Sequence, residues 1–136
     1  MNRLLKGVDA LQAKGLNVIF ITHSHHKNIQ TEEGDSYKVI DMALQSFGDY
    51  SVPELLKRRS DWVLYVESKT KTRKVKNQFG GTKNIGFGEP TTIVYTRSTS
   101  QFFAKVRAAD VTQVQDYYEI DIHNPETIKQ IFNDIT

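Results

Sequence analysis

Residues 16–27 read LNVIFITHSHHK, and the fold turns on how this stretch is taken. Val18, Ile19, Phe20 and Ile21 are consecutive, apolar and mostly β-branched. A run without alternation fits a strand buried on both faces, as in the middle of a parallel sheet, better than a half-solvated one. The next residues are polar: Thr22, His23, Ser24, His25, His26 and Lys27. In open α/β sheets the ligand crevice lies just beyond the carboxyl ends of the strands. A central strand over 17–22 therefore puts function at its polar tip.

Working outward, residues 2–14 read as a helix, with Leu4, Leu5, Val8 and Leu11 on one stripe. Gly15 stands where a left-handed residue ends a helix. Helix, glycine and buried strand make an α/β unit. On the other side, 24–49 reads as a long polar loop, a length that in compact domains often carries function. Apolar character returns within it at Val39, Ile40, Met42, Ala43 and Leu44, as a short strand or helical turn. Residues 51–59 read as a helix with Ser51 as N-cap, Pro53 and Glu54 in its first turn, and Lys57, Arg58 and Arg59 at its end. Residues 61–66 (DWVLYV) read as a second buried strand.

Residues 68–90 carry a basic stretch and two glycine clusters, and read as a β-hairpin or loop excursion. Strands are expected at 91–97 and 102–107, and an edge strand at 117–122, where YYEIDI alternates. A last helix opens at Asn124 and Pro125, with Ile128, Ile131, Phe132 and Ile135 as its apolar face. The expected fold is α/β, one domain over 1–136, with a mixed, mostly parallel β-sheet flanked by helices and a β-hairpin excursion.

The 136 residues suit one domain, and 38% hydrophobic with 25% charged residues is a globular composition. The chain has no cysteine, so a disulfide framework and a thiolate metal site are excluded. No apolar run approaches the roughly 18 residues of a membrane span. The first residues lack the apolar core of a signal peptide, and a cytoplasmic place is expected. Net charge is only +2, but unevenly spread. Lys69, Lys71, Arg73, Lys74, Lys76 and Lys83 lie in one stretch without an acid, whereas acids dominate from Asp110 onward. The middle attracts phosphates and the tail repels them, unless the run is simply a solvated loop.

Three constellations bear on chemistry. His23 and His25 form an HxH pair, which at a strand end can bind zinc. The pair is similar to the HxHxDH pattern of metallo-β-lactamases, yet Lys27 and Asn28 stand where Asp and the third ligand belong. A cation there opposes a metal; the plainer reading is polar loop residues with one packed histidine. Second, in a strand over 102–107 Phe102, Ala104 and Val106 face one way, while Lys105 and Arg107 project together the other way. Two cations on rigid backbone make a phosphate contact, with Arg able to bind bidentately, or else an ordinary exposed strand face. Third, GxxxxGK[ST] is missing; Gly80-Gly81-Thr82-Lys83 has the composition of a phosphate loop without its spacing.

In order, these pieces resemble the C-terminal half of the RecA-like P-loop ATPases carried by bacteriophages, the Sak4-type recombination or annealing proteins. The resemblance covers roughly residues 3–122 and rests on the series: THS after an apolar strand, a polar loop, a helix, SDWVL, a basic excursion, YTRS and AKVR. It implies that His23 senses the γ-phosphate of ATP, and that 24–37 contacts single-stranded DNA. Ser24, His25, His26, Lys27 and Lys38 are then the candidate DNA contacts. It implies that Asp61 is structural, and that Lys105 and Arg107 reach the ATP of a neighbouring subunit, as an arginine finger does. ATP and Mg²⁺ are the implied cofactors, although the phosphate loop and the acidic magnesium-holding strand of the family's other half have no counterpart in these residues. No hydrolysis is expected from this chain by itself. The expected partners are single-stranded DNA and either the missing ATPase half or further copies, in a host bacterial cytoplasm. Two other readings stand beside it: a non-catalytic interaction module of the same fold, and an HxH metal-dependent hydrolase.

Overall fold

In a computed structural model, residues 2–46, 50–76 and 80–136 are described. The end of the expected loop, at 47–49, and the tip of the basic excursion, at 77–79, lie outside them. Elements come in the order α1 (Asn2–Gln12), β1 (Ser24–Gln30), β2 (Ser36–Met42), α2 (Val52–Arg59), β3 (Trp62–Val63), β4 (Tyr65–Lys76), β5 (Thr82–Tyr95), β6 (Lys105–Val106), β7 (Tyr117–Ile120) and α3 (Glu126–Ile135).

Helices and sheets are mixed, as expected, but the sheets are antiparallel. β1 pairs with β2, β3 with β6, and β4, β5 and β7 make a three-stranded sheet in that order. A parallel contact is made by the isolated bridge between Ile40 and Phe102. For two of the pairings the reason is connectivity: β1–β2 and β4–β5 are consecutive strands with short connections, which only antiparallel pairing allows.

The stretch that suggested a central parallel strand is not a strand. Residues 16–23 carry no regular structure, and Ile19 and Ile21 are 80% and 93% exposed. A strand exists only where a neighbour completes its hydrogen-bond ladder, and none of the described strands pairs with this run. The expected polar loop is instead largely a hairpin. Its turn is closed by the Thr31 N–H donating to the Asp35 carbonyl at 2.8 Å, and by the Asp35 N–H donating to Thr31 Oγ1 at 3.1 Å. Gly34, with φ of 91°, supplies the left-handed residue this turn requires.

The core lies between the three-stranded sheet and α3. Val94, Val114, Tyr118, Ile120, Ile131 and Ile135 form one buried cluster, with Trp62, Leu64, Val106 and Ala108 packed on it. β7 alternates as the sequence predicts: Tyr118 and Ile120 are buried, Tyr117 and Glu119 exposed. α3 sets Ile131 and Ile135, four apart on one helix face, onto them. An aromatic cluster centres on Phe102, with ring centroids 4.5 Å from Tyr65 and 4.8 Å from Tyr95. α2 is capped as its sequence predicts, Ser51 Oγ accepting the Glu54 N–H. Asn124 Oδ1 accepts the Glu126 N–H where α3 begins. Among the described residues no helix is long and apolar enough to cross a membrane.

Candidate functional site

β6 holds Lys105 opposite Val63 of β3, and the Arg107 N–H continues the ladder by donating to the Asp61 carbonyl at 3.1 Å. Alternation then places Lys105 and Arg107 on one face, two residues apart. Ala104, just ahead of Lys105, is 3% exposed and anchors the strand from behind. The strand itself covers Lys105–Val106, and Arg107 follows directly after it. Both side chains have partners within the chain. Arg107 meets Asp61 at 2.9 Å, with both side chains mostly in solvent. Lys105 Nζ lies 3.4 Å from the Arg58 carbonyl, at the C-terminal end of α2, where the helix dipole favours a cation. Exposed ion pairs such as Arg107–Asp61 are worth about 0–1 kcal/mol, so an incoming phosphate can displace Asp61 at small cost.

Beside Lys105 opens a cleft of about 390 Å³, whose lining includes Thr96, Arg97, Ser98, Lys105 and Val111. Ser98 organises its wall: Ser98 Oγ donates to the Ala104 carbonyl at 2.8 Å and accepts the Ala104 N–H at 3.0 Å. Thr96, 1% exposed, donates its hydroxyl to the Gln115 carbonyl. Arg97 is a cation to which the sequence pattern assigned no role. It pairs with Asp116 at 3.0 Å and lines the same cleft as Lys105. The signal was there, since Arg97 comes directly after the apolar β-rich run that ends at Thr96.

His23 lies elsewhere in the bonding pattern. It ends the unstructured apolar run at the base of the β1–β2 hairpin, where its carbonyl accepts the Ala43 N–H at 2.7 Å. Among the described residues no hydrogen bond or ion pair joins it to Lys105 or Arg107. The candidate DNA contacts fall on the hairpin rather than a loop, and its register divides them. His25 and Lys27 sit opposite Asp41 and Val39 on one face; Ser24, His26 and Lys38 share the other. The hairpin is fixed to the body through the Ile40 N–H, donating to the Gln101 carbonyl at 2.6 Å, and through Asp41, 2.8 Å from Lys57 on α2.

The HxH reading finds no support in the geometry: among the described residues no group of three or more His, Asp or Glu side chains is placed to hold a metal ion. His123 pairs with Glu89 at 3.8 Å, far in sequence from His23 and His25.

The architecture is mixed α/β, and Arg97 and Lys105 line one cleft between its strands. The chain belongs to the AAA domain family, whose model matches residues 1–108. Membership brings a nucleotide-binding, ATPase-like function, with ATP as the general ligand. Comparison with curated proteins and with solved structures found no match.

Proposed function

We propose that the chain is the C-terminal part of a RecA-like ATPase of Sak4 type, acting in phage DNA recombination or single-strand annealing. One observation supports this reading: Lys105 lines the same cleft as Arg97, two residues before Arg107, in a chain of an ATP-binding family. In this role the two cations approach the triphosphate held by a neighbouring subunit and stabilise the charge that develops as the γ-phosphoryl group departs. Asp61 holds the Arg107 guanidinium until phosphate replaces it. His23 monitors the γ-phosphate, and Ser24, His25, His26, Lys27 and Lys38 meet single-stranded DNA along the hairpin. Mg²⁺ arrives with the nucleotide. The phosphate loop comes from residues other than these 136, and the exposed apolar run at 16–22 is the surface that the completing half, or another copy, covers.

The test is ATP turnover in an assembly with the polypeptide that carries the phosphate loop. Arg107→Ala should lower kcat by about 10³-fold or more, the range of trans-acting arginines, with KM little changed. Turnover equal to wild type would remove the finger role. A second reading, a non-catalytic interaction module, is favoured by one fact: both cations already have partners inside the chain. Under it, Lys105→Ala and Arg107→Ala leave partner binding intact and no assembly hydrolyses ATP.

A further inference from the structure

β4 and β5 run together beyond the sheet. β7 pairs with β5 only from Thr92 to Tyr95, so from Lys71/Phe87 to Lys76/Thr82 the ribbon is two strands alone. Six paired positions at about 3.3 Å each give an arm of about 20 Å. A bulge separates arm from sheet: the register shifts between Lys69 and Lys71, and Gly88 opposite takes φ of 72°. Between Glu67 and Glu89 the sequence holds six cations and no acid. Among the described residues Lys71, Arg73, Lys74, Lys76 and Lys83 form no ion pair.

The register sorts the arm into two faces. One carries Lys71, Arg73 and Val75 with Phe87, Ile85 and Lys83; the other carries Thr72, Lys74 and Lys76 with Gly86, Asn84 and Thr82. Lysines alone would be explained as charges that keep two free sheet edges from pairing with other chains. The first face breaks that explanation. Phe87 and Ile85 are 45% and 43% exposed between the cations, and the Arg73 guanidinium lies 5.9 Å from the Phe87 ring centroid. An arm built for solubility has no use for an exposed Phe and Ile. Cations that track a backbone, interleaved with an aromatic ring on which a base can stack, are the two parts of a single-strand binding surface. Successive cations on a face are about 6.7 Å apart, close to the phosphate spacing of an extended strand.

We propose that the β4–β5 arm binds single-stranded nucleic acid along its Lys71–Arg73–Phe87 face, phosphates on the cations and a base on Phe87. This rests on the arm's own residues and holds whether or not the chain takes part in ATP turnover.

The experiment is fluorescence anisotropy of a labelled oligothymidylate with the full chain, titrated at several salt concentrations. Lys71→Gln with Arg73→Gln should weaken binding at least tenfold and flatten the log–log salt slope by about 0.7 for each phosphate released from a cation. Phe87→Ala alone should weaken it about tenfold without changing the slope. The charge-keeping pair Lys71→Arg with Arg73→Lys should bind as wild type. Circular dichroism melts verify that each variant folds, as expected for solvent-facing positions. Wild-type affinity in the glutamine variant, or no binding by the wild-type chain at low salt, overturns the proposal. Lys27→Gln with Lys38→Gln keeps the two DNA surfaces distinguishable. If that hairpin variant alone abolishes binding, the arm is wrong and the hairpin reading stands; if the arm variant alone does, the reverse holds.

Discussion

Asp41 and Lys57 form the salt bridge that helps tie the β1–β2 hairpin to the rest of the chain. Burial raises the Asp41 pKa, but the Lys57 ammonium and the Met42 N–H, each at 2.8 Å, outweigh it and leave the carboxyl below its ordinary 3.8. Burial lowers the Lys57 pKa, yet Asp41 and Glu54, each 2.8 Å from Nζ, carry it above 10.5. The signs fix the pH window. A lowered carboxylate pKa stabilises above its unfolded value and is lost as pH falls through the native one; a raised ammonium pKa stabilises below its unfolded value and is lost as pH climbs through the native one. The pair is therefore fully effective between about pH 4 and pH 10. Side-chain exposures of 16% and 13% place it between surface and buried pairs, so Asp41→Asn should cost about 1–2 kcal/mol at neutral pH. Urea melts of the two proteins should converge as pH is lowered through 4; a gap constant with pH would mean that Asp41 contributes packing rather than charge. None of this pairing was legible in the sequence, where Asp41 falls inside a supposed loop and Lys57 in the helix after it.

At the scale of elements, β7 and α3 carry more of the fold than their place at the end of the chain suggests. Five of the six residues of the buried cluster lie beyond residue 108: Val114, Tyr118, Ile120, Ile131 and Ile135. Tyr118 also holds its surroundings through polar bonds, its hydroxyl accepting the Gln115 N–H at 3.1 Å and donating to Asp134 at 2.8 Å. The family match ends where this half of the core begins. Removing residues 109–136 should therefore abolish the cooperative thermal transition in circular dichroism, because the sheet would lose the helix that covers it; a truncated chain that melts cooperatively would show that the core lies elsewhere. These two elements were legible. β7 alternates with period two, and α3 joins a capping Asn124 to an apolar stripe. The β1–β2 hairpin was not, since SHHKNIQ has no apolar alternation and every residue of β1 except Ile29 is exposed. Its strand character comes from cross-strand pairing and the Thr31–Asp35 turn, which no window confined to one strand contains.

For the whole molecule, a run of high β-propensity is left unpaired by the fold. VIFI at 18–21 is a stronger strand sequence than SHHKNIQ, yet β1 is a strand and 16–23 is not. β-propensity records how well a side chain fits a pleated, half-buried surface, so it acts only where another strand supplies that surface. The parallel-sheet expectation failed for the same reason, having been built on a strand without a neighbour. The consequence is an apolar segment in water. Leu16, Ile19, Phe20 and Ile21 are 52%, 80%, 41% and 93% exposed, and α1 beside them leaves Leu4 and Leu11 open too. Contiguous exposed apolar surface of this kind marks either an interface or a site of aggregation. Ile19→Lys with Ile21→Lys tests which consequence the molecule carries. Neither side chain contributes to the buried core, so stability should move by no more than about 0.5 kcal/mol in denaturant melts. Sedimentation velocity should show less self-association than in the wild-type chain, because an added charge blocks edge-to-edge pairing. A large drop in stability would mean that the segment packs against the body in solution, and unchanged association would place the contact between copies on a different surface.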